Sequence, residues 1–235
     1  MKTLGIVGGI APESTIDYYR SIIATYRARV RDGSYPPLVI NSIDLARLLS
    51  LIGEGRLTEV TAYLGTALDR LASAGADLGL LASNTPRIVF EDLQRRSPVP
   101  LISIVETVCA AARDLGLSQV GLFGTRFTMQ GRFYPKVFEG HGIGLSVPTE
   151  TEQTYIHDKY MGELVEGVFL EETRSHLLAI AARMKAESGI QGLILGGTEL
   201  PLLLRDAPDI GLTFLDSTTL HVERAVALML GDGAG

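Results

Sequence analysis

The stretch LASNTPRIVF (Leu81–Phe90) runs apolar, turns polar at Ser83-Asn84-Thr85, and enters a helical pattern with a proline near its start. LILGGTELPLLL (Leu193–Leu204) follows the same plan: an apolar run, a small polar turn, a second apolar run with Pro201 near its beginning. A short apolar run, a turn and then a helical pattern is the signature of a strand–turn–helix unit in a parallel sheet. Working outward from these two, further apolar runs occur at Thr3–Val7, Pro37–Ile43, Leu78–Ala82, Pro100–Ile104, Gln119–Phe123, Gly144–Val147, Gly192–Leu195 and Gly211–Leu215. They are nearly continuous in apolar residues, as strands covered on both faces must be. Amphipathic segments separate them. In one, Leu57, Val60, Leu64, Leu68 and Leu71 keep the three- and four-residue spacing of a helix face. Pro12 and Pro86 stand where helices begin, where a missing N–H costs nothing. This alternation predicts an α/β protein with parallel sheets and helices on both faces.

The plan is repeated internally. GIVGGIAP (Gly5–Pro12) matches GLFGTRFT (Gly121–Thr128) at an offset of 121 − 5 = 116, and LLASNT (Leu80–Thr85) matches ILGGTE (Ile194–Glu199) at 194 − 80 = 114. Near-equal offsets predict two related α/β halves. The expected boundaries are 1–100 plus 211–235 for the first half and 101–210 for the second, with the chain returning to the first half from Gly211 onward.

Composition narrows the function classes. The 235 residues carry a net charge of −6 and no basic run, which disfavours a nucleic-acid surface. No apolar run reaches the roughly 18–20 residues that span a bilayer, so no membrane partner is expected. MKTLGIVGG reads as a first strand and not a leader, and the expected compartment is the cytoplasm. The single cysteine, Cys109, excludes an internal disulfide; in ETVCAAAR it reads as a small core residue. The four histidines (His141, His157, His176 and His221) lack metal-ligand spacing, so no metal is expected. His221 reads as a packing or surface residue, whereas His157, in TYIHDKY, is a candidate cleft residue.

In parallel α/β sheets, ligands bind beyond the carboxyl ends of the strands, where following helices offer unpaired N–H groups to an anion. Four turns have this form: Gly8-Gly9-Ile10-Ala11, Ser83-Asn84-Thr85, Gly124-Thr125-Arg126-Phe127-Thr128 and Gly196-Gly197-Thr198. Their Ser, Thr, Asn and Gly residues either cap helices or let backbone approach a ligand. A dinucleotide fingerprint, a Walker A loop and a nucleophile elbow are all absent. A small anionic ligand is the predicted occupant.

At these residues the chain resembles the aspartate/glutamate racemase family, whose members work without pyridoxal phosphate. GGIAPESTIDYY resembles the family opening, with Ile10 and Ala11 departing from it. SNTP and GGTELPLLL match its two catalytic motifs, and GTRFTM its intervening substrate-binding turn. The resemblance implies two similar Rossmann-like α/β half-domains with the site at their interface, a homodimer, no cofactor, and a small amino dicarboxylate such as aspartate or glutamate as ligand. It further implies substrate-binding roles for Gly9, Ile10, Asn84, Thr85, Thr125, Thr128 and Thr198, with Arg47 and Lys159 as candidates for the second carboxylate.

The departures fall on the chemistry. The family moves the α-proton with two cysteines on opposite faces of the substrate; the matching positions here are Ser83 and Gly197. A thiol can be tuned into a base near neutral pH, but a serine hydroxyl needs a neighbouring base, and glycine has no side chain. Glu199 and His157 are the remaining candidates for acid–base work, Glu199 with helix capping as its plainer role. Arg87 stands where the family often has histidine. Three expectations follow: an isomerase of altered chemistry, a dicarboxylate-binding protein that has lost turnover, or an elimination on a related acid.

Overall fold

The computed structural model describes residues 1–204 and 208–232. Positions 205–207 and 233–235 of the expected halves lie outside the described residues. The chain divides into two compact units, the first from Met1–Ser103 and His221–Gly235, the second from Ile104–Leu220.

The first unit opens with β1 (Leu4–Gly8), α1 (Pro12–Val30), β2 (Leu38–Ser42), α2 (Leu45–Gly53), α3 (Leu57–Ser73) and β3 (Leu78–Leu81). A 3-10 turn (Thr85–Val89) then leads into α4 (Phe90–Arg96). The second unit begins with α5 (Ile104–Asp114), β4 (Gln119–Phe123), α6 (Arg126–Gln130), α7 (Phe133–Glu139) and β5 (Gly144–Ser146). It continues through α8 (Glu150–Lys159), a π-helical turn (Tyr160–Leu164), α9 (Glu171–Ser188), β6 (Gly192–Leu195), α10 (Leu200–Leu204) and β7 (Thr213–Asp216). The last helix, α11 (Ser217–Leu230), contributes its residues from His221 to the first unit.

Both sheets are parallel, with strand orders β2-β1-β3 and β5-β4-β6-β7. The internal repeat is visible in their register. Ile6 pairs with Leu80 in the first sheet and Leu122 with Ile194 in the second; these are the same positions shifted by 122 − 6 = 116 and 194 − 80 = 114 residues. Alternation along the strands sends side chains to opposite faces. Leu4, Ile6, Leu78 and Leu80 pack with Tyr18 and Ile22 of α1 and Val222 of α11. Val7 and Leu81 face Leu64 and Leu68 of α3. In the second sheet Leu122 and Ile194 meet Val108 of α5, while Phe123, Leu193 and Leu195 meet Ile180 and Met184 of α9. Each fully buried Leu or Ile contributes about 1.5–3 kcal/mol, so these four layers account for the folding of β1, β3 and β6 as wholly buried strands and of β4 as buried beyond Gln119.

Local signals set the element ends. Pro12 starts α1, and the left-handed Arg31 (φ 55°) ends it. Asp44 caps α2 by accepting from the N–H groups of Ala46 (2.8 Å) and Arg47 (3.3 Å). Thr149 and Glu152 form a reciprocal capping box at α8.

Two expectations need correction. Pro100–Ile104 forms no strand: only Leu101 bridges to Gly79, and Ile104 already begins α5. Pro100 has no N–H to donate to a ladder and α5 takes over at Ile104, which leaves the single bridge at Leu101. The return to the first unit does not come at Gly211 either. β7 pairs with β6, its Leu215 opposite Ile194 in the second core, so the second sheet has a strand without counterpart in the first. The observed strand also begins at Thr213, two residues after Gly211, and ends at Asp216.

Candidate functional site

Each unit brings two of the four turns side by side at the carboxyl ends of neighbouring strands. In the first unit they follow β1 and β3, which are hydrogen-bonded neighbours. The Ala82 N–H donates to the Val7 carbonyl (3.0 Å), and the Ser14 hydroxyl reaches the carbonyls of Ala11 (2.8 Å) and Ala82 (3.3 Å), tying the two turns together. Gly9 has φ +85° and donates its N–H to Thr15 Oγ1 (2.8 Å). A β-carbon at Gly9 would stand 2.6 Å from Ser42 Oγ and closer still to the Ile43 carbonyl, so both the backbone angle and the space demand glycine.

Ser83, Asn84 and Thr85 follow β3 directly. The Ser83 hydroxyl is half-buried and accepts from the Thr85 N–H (3.3 Å), an internal turn contact and not the activation by a base that a serine nucleophile needs. Asn84 and Ile10 are buried. Arg87 is buried too, its guanidinium 4.9 Å from the centre of the Phe90 ring. Arg47, in α2, lies over the Tyr63 ring at 4.6 Å. It lines a cavity of about 380 Å³ beyond the carboxyl end of β2, together with Ser42, Asp44, Glu59, Tyr63 and Arg70.

In the second unit the paired turns follow β4 and β6. The Gly196 N–H donates to the Phe123 carbonyl (2.8 Å). A β-carbon at Gly124 would lie 3.0 Å from the Gly196 carbonyl, which explains glycine at this crossing. Thr125 caps α6 by accepting from the Thr128 N–H (3.3 Å), and its hydroxyl also meets that of the buried Thr128 (3.2 Å). His157 Nδ1 accepts from the Arg126 N–H (3.3 Å), so its proton sits on Nε2. Partial burial, and then the nearby Arg126 charge, hold the imidazole below its usual pKa.

Glu199 precedes α10 instead of standing inside it, and it is buried. Its Oε2 accepts from the Thr198 hydroxyl (2.7 Å) and from the Tyr160 hydroxyl. Tyr160 is the residue that sequence reasoning missed. A β-carbon built on Gly197 would lie 2.9 Å from both Cζ and Oη of Tyr160, and nearer still to Cε2. The phenol therefore fills the space that a side chain at 197 would take. Burial, and then the adjacent Glu199, raise the Tyr160 pKa well above its usual value, which keeps the phenol protonated. The missed signal was conditional: an empty position at 197 calls for a large side chain nearby, but nothing in DKYMGEL identifies Tyr160 as the one that comes.

Three further residues have other contacts. Lys159 pairs with Glu163, which also accepts from Thr173 (2.6 Å), so its charge is already engaged. Cys109 is buried in the core, where burial raises its pKa. His221 is likewise a core residue, bonded to Tyr18 (2.9 Å) and Ile102 (3.0 Å). Among the described residues no helix is long and apolar enough to cross a membrane.

With the geometry in hand, comparison with known proteins is informative. Residues 7–225 match the Asp/Glu/Hydantoin racemase family. The crystal structure of a candidate Asp/Glu racemase from Yersinia pestis is 30% identical, with a TM-score of 0.90 over 98% of this chain and 100% of that one. An aspartate racemase homologue from Pyrococcus horikoshii OT3 is 33% identical, with a TM-score of 0.85 over 98% of this chain and 100% of that one. The broad specificity amino-acid racemase RacX of Bacillus subtilis (strain 168) is 28% identical over 153 residues, 59% of this chain and 61% of RacX.

Proposed function

Because this chain belongs to the Asp/Glu/Hydantoin racemase family, we propose that it binds a small amino dicarboxylate at its strand-end turns and acts at the α-carbon without a cofactor. The observation that carries this reading is the in-register repeat: β1/β3 and β4/β6 each end in a pair of glycine-, serine- or threonine-bearing turns suited to an anion. In this reading Gly9, Ile10, Asn84, Thr85, Thr125, Thr128 and Thr198 hold the ligand's α-substituents. Arg47 is preferred over Lys159 for the second carboxylate, since Arg47 lines a cavity whereas Lys159 is paired within its own helical segment. The amino-acid substrate class agrees with the name of the Bacillus relative, and we place the protein in the cytoplasm as a homodimer on the same family grounds.

Ser83 and Gly197 take the positions of the two family cysteines. Racemisation by a thiol pair is then closed to this chain, because neither residue supplies a group that titrates near pH 7. A second reading, binding without turnover, is favoured by one observation: the Ser83 hydroxyl accepts from the Thr85 N–H, a local turn contact and not one with a base. Isothermal titration calorimetry with each enantiomer of aspartate and glutamate tests the shared part. Saturable binding of one enantiomer is expected, weakened about 10- to 100-fold by Arg47→Leu for a lost charge-assisted hydrogen bond. Absence of binding by all four overturns the proposal.

A further inference from the structure

The turn after β6 presents a phenol where residue 197 has no side chain. Tyr160 Oη stands 2.9 Å from the place a β-carbon of residue 197 would occupy, and its hydroxyl donates to Glu199 Oε2. The Thr198 hydroxyl donates to the same oxygen (2.7 Å), which holds the carboxyl in one orientation. A buried carboxyl that accepts a hydroxyl proton beside a strand-end turn is the arrangement of a two-residue proton relay. An apolar side chain at 160 beside an apolar one at 199 would fill the same volume without burying a titratable pair.

Resting on the dicarboxylate reading above, we propose that Tyr160 is a catalytic residue, a proton-transfer group for one face of the substrate's α-carbon, with Glu199 as the positioning residue that takes up its proton. The step balances within the protein and substrate. The Cα–H bond breaks and its electron pair stays on carbon, delocalised into the α-carboxyl. The α-proton forms a new bond to Tyr160 Oη as the phenol's own proton passes to Glu199 Oε2. Reversal restores every bond, and exchange of the relay's protons with solvent in between labels Cα. Proton loss and return use one face, so configuration is retained. Burial of the phenol, which keeps it neutral at rest, agrees with a group that moves its proton only in concert with Glu199.

The test is α-proton exchange in deuterated water, followed by proton NMR at saturating aspartate or glutamate, with enantiomeric purity read by chiral chromatography and affinity by calorimetry. The full chain is expected to exchange the α-proton of one enantiomer with its configuration kept. Tyr160→Phe keeps the ring against Gly197 and removes only the hydroxyl; its exchange rate at saturation should fall by at least about 100-fold with affinity unchanged, the size of a lost general acid–base group. Glu199→Gln should fall similarly, and it carries the test if the phenylalanine variant does not fold. Exchange by Tyr160→Phe at the wild-type rate overturns the proposal, as does exchange with loss of configuration. Saturable binding with no exchange also overturns it while leaving the dicarboxylate reading intact; absence of binding overturns both.

Discussion

The packing of Tyr160 against Gly197 makes a quantitative prediction for Gly197→Ala. The added methyl would meet Cζ and Oη of Tyr160 at 2.9 Å, well inside van der Waals contact. The ring is buried and its hydroxyl bound to Glu199, so it cannot swing aside freely. Overpacking of this kind costs about 1–3 kcal/mol. Gly197 has no positive φ, so alanine also gains about 0.4–1 kcal/mol by restricting the unfolded chain. These terms oppose each other, and a single measurement could return a net near zero. A double-mutant cycle with Tyr160→Leu separates them, because the unfolded-state gain is the same in both backgrounds whereas the clash needs the ring. The expected coupling is about 1–3 kcal/mol, which for a chain of this size is roughly a 2–12 °C difference in the shift of Tm. Urea unfolding of the four proteins checks the free energies directly. Additive effects within about 0.5 kcal/mol would show that the ring does not fill the space at 197, and the argument for Tyr160 at this turn would fail with it.

Other outcomes follow from named contacts. His221 is buried with its pKa lowered to about 4 by desolvation, against 6.5 in the unfolded chain. A depressed folded pKa means that burying the neutral ring contributes stability that is complete above pH 6.5 and lost as pH falls towards 4, on the order of 3 kcal/mol. Denaturant titrations across this range should therefore slope steeply for the wild type and less for His221→Phe; equal slopes would place the proton uptake elsewhere. Gly9→Ala should destabilise the first unit by about 1–3 kcal/mol, since it forces a side chain onto a left-handed backbone facing Ser42 and Ile43. A near-neutral value in urea unfolding would mean that this turn is free to relax.

Much of the architecture could be read from local pattern. Gln119–Phe123 and Gly192–Leu195 emerge with the limits their apolar runs suggested, because central parallel strands buried on both faces leave an uninterrupted signal. The edges were less legible. Pro100–Ile104 has the composition of a strand, yet Pro100 removes a donor that a ladder needs and Ile104 already begins α5. Thr213–Asp216 carries no mark of which sheet it joins; pairing beside β6 depends on burying Leu215 against the second core, a long-range contact invisible in a short run of residues. The turns followed the same division. Gly9 and Thr125 hold their places through neighbours within a few residues, Thr15 and Thr128, and could be singled out early. Tyr160 acts on Gly197 from 37 residues away in sequence (197 − 160), through a ring whose direction depends on the π-helical turn at Tyr160–Leu164.

That long-range pairing changes what the glycine means. Taken alone, Gly197 reads as a deletion, the removal of a reacting side chain that leaves a hole. In the folded chain there is no hole: the phenol occupies the volume, and its hydroxyl is anchored on a carboxyl from the residue two positions on. A cysteine at 197 would meet the same ring that alanine meets, and would carry the same overpacking cost. Gly197, Tyr160 and Glu199 form one coupled unit, in which the small residue admits the large one and the carboxyl fixes its hydroxyl. At Ser83 the contact is local instead: its hydroxyl accepts from the Thr85 N–H. The two halves repeat each other in backbone register but differ in the groups at their turns.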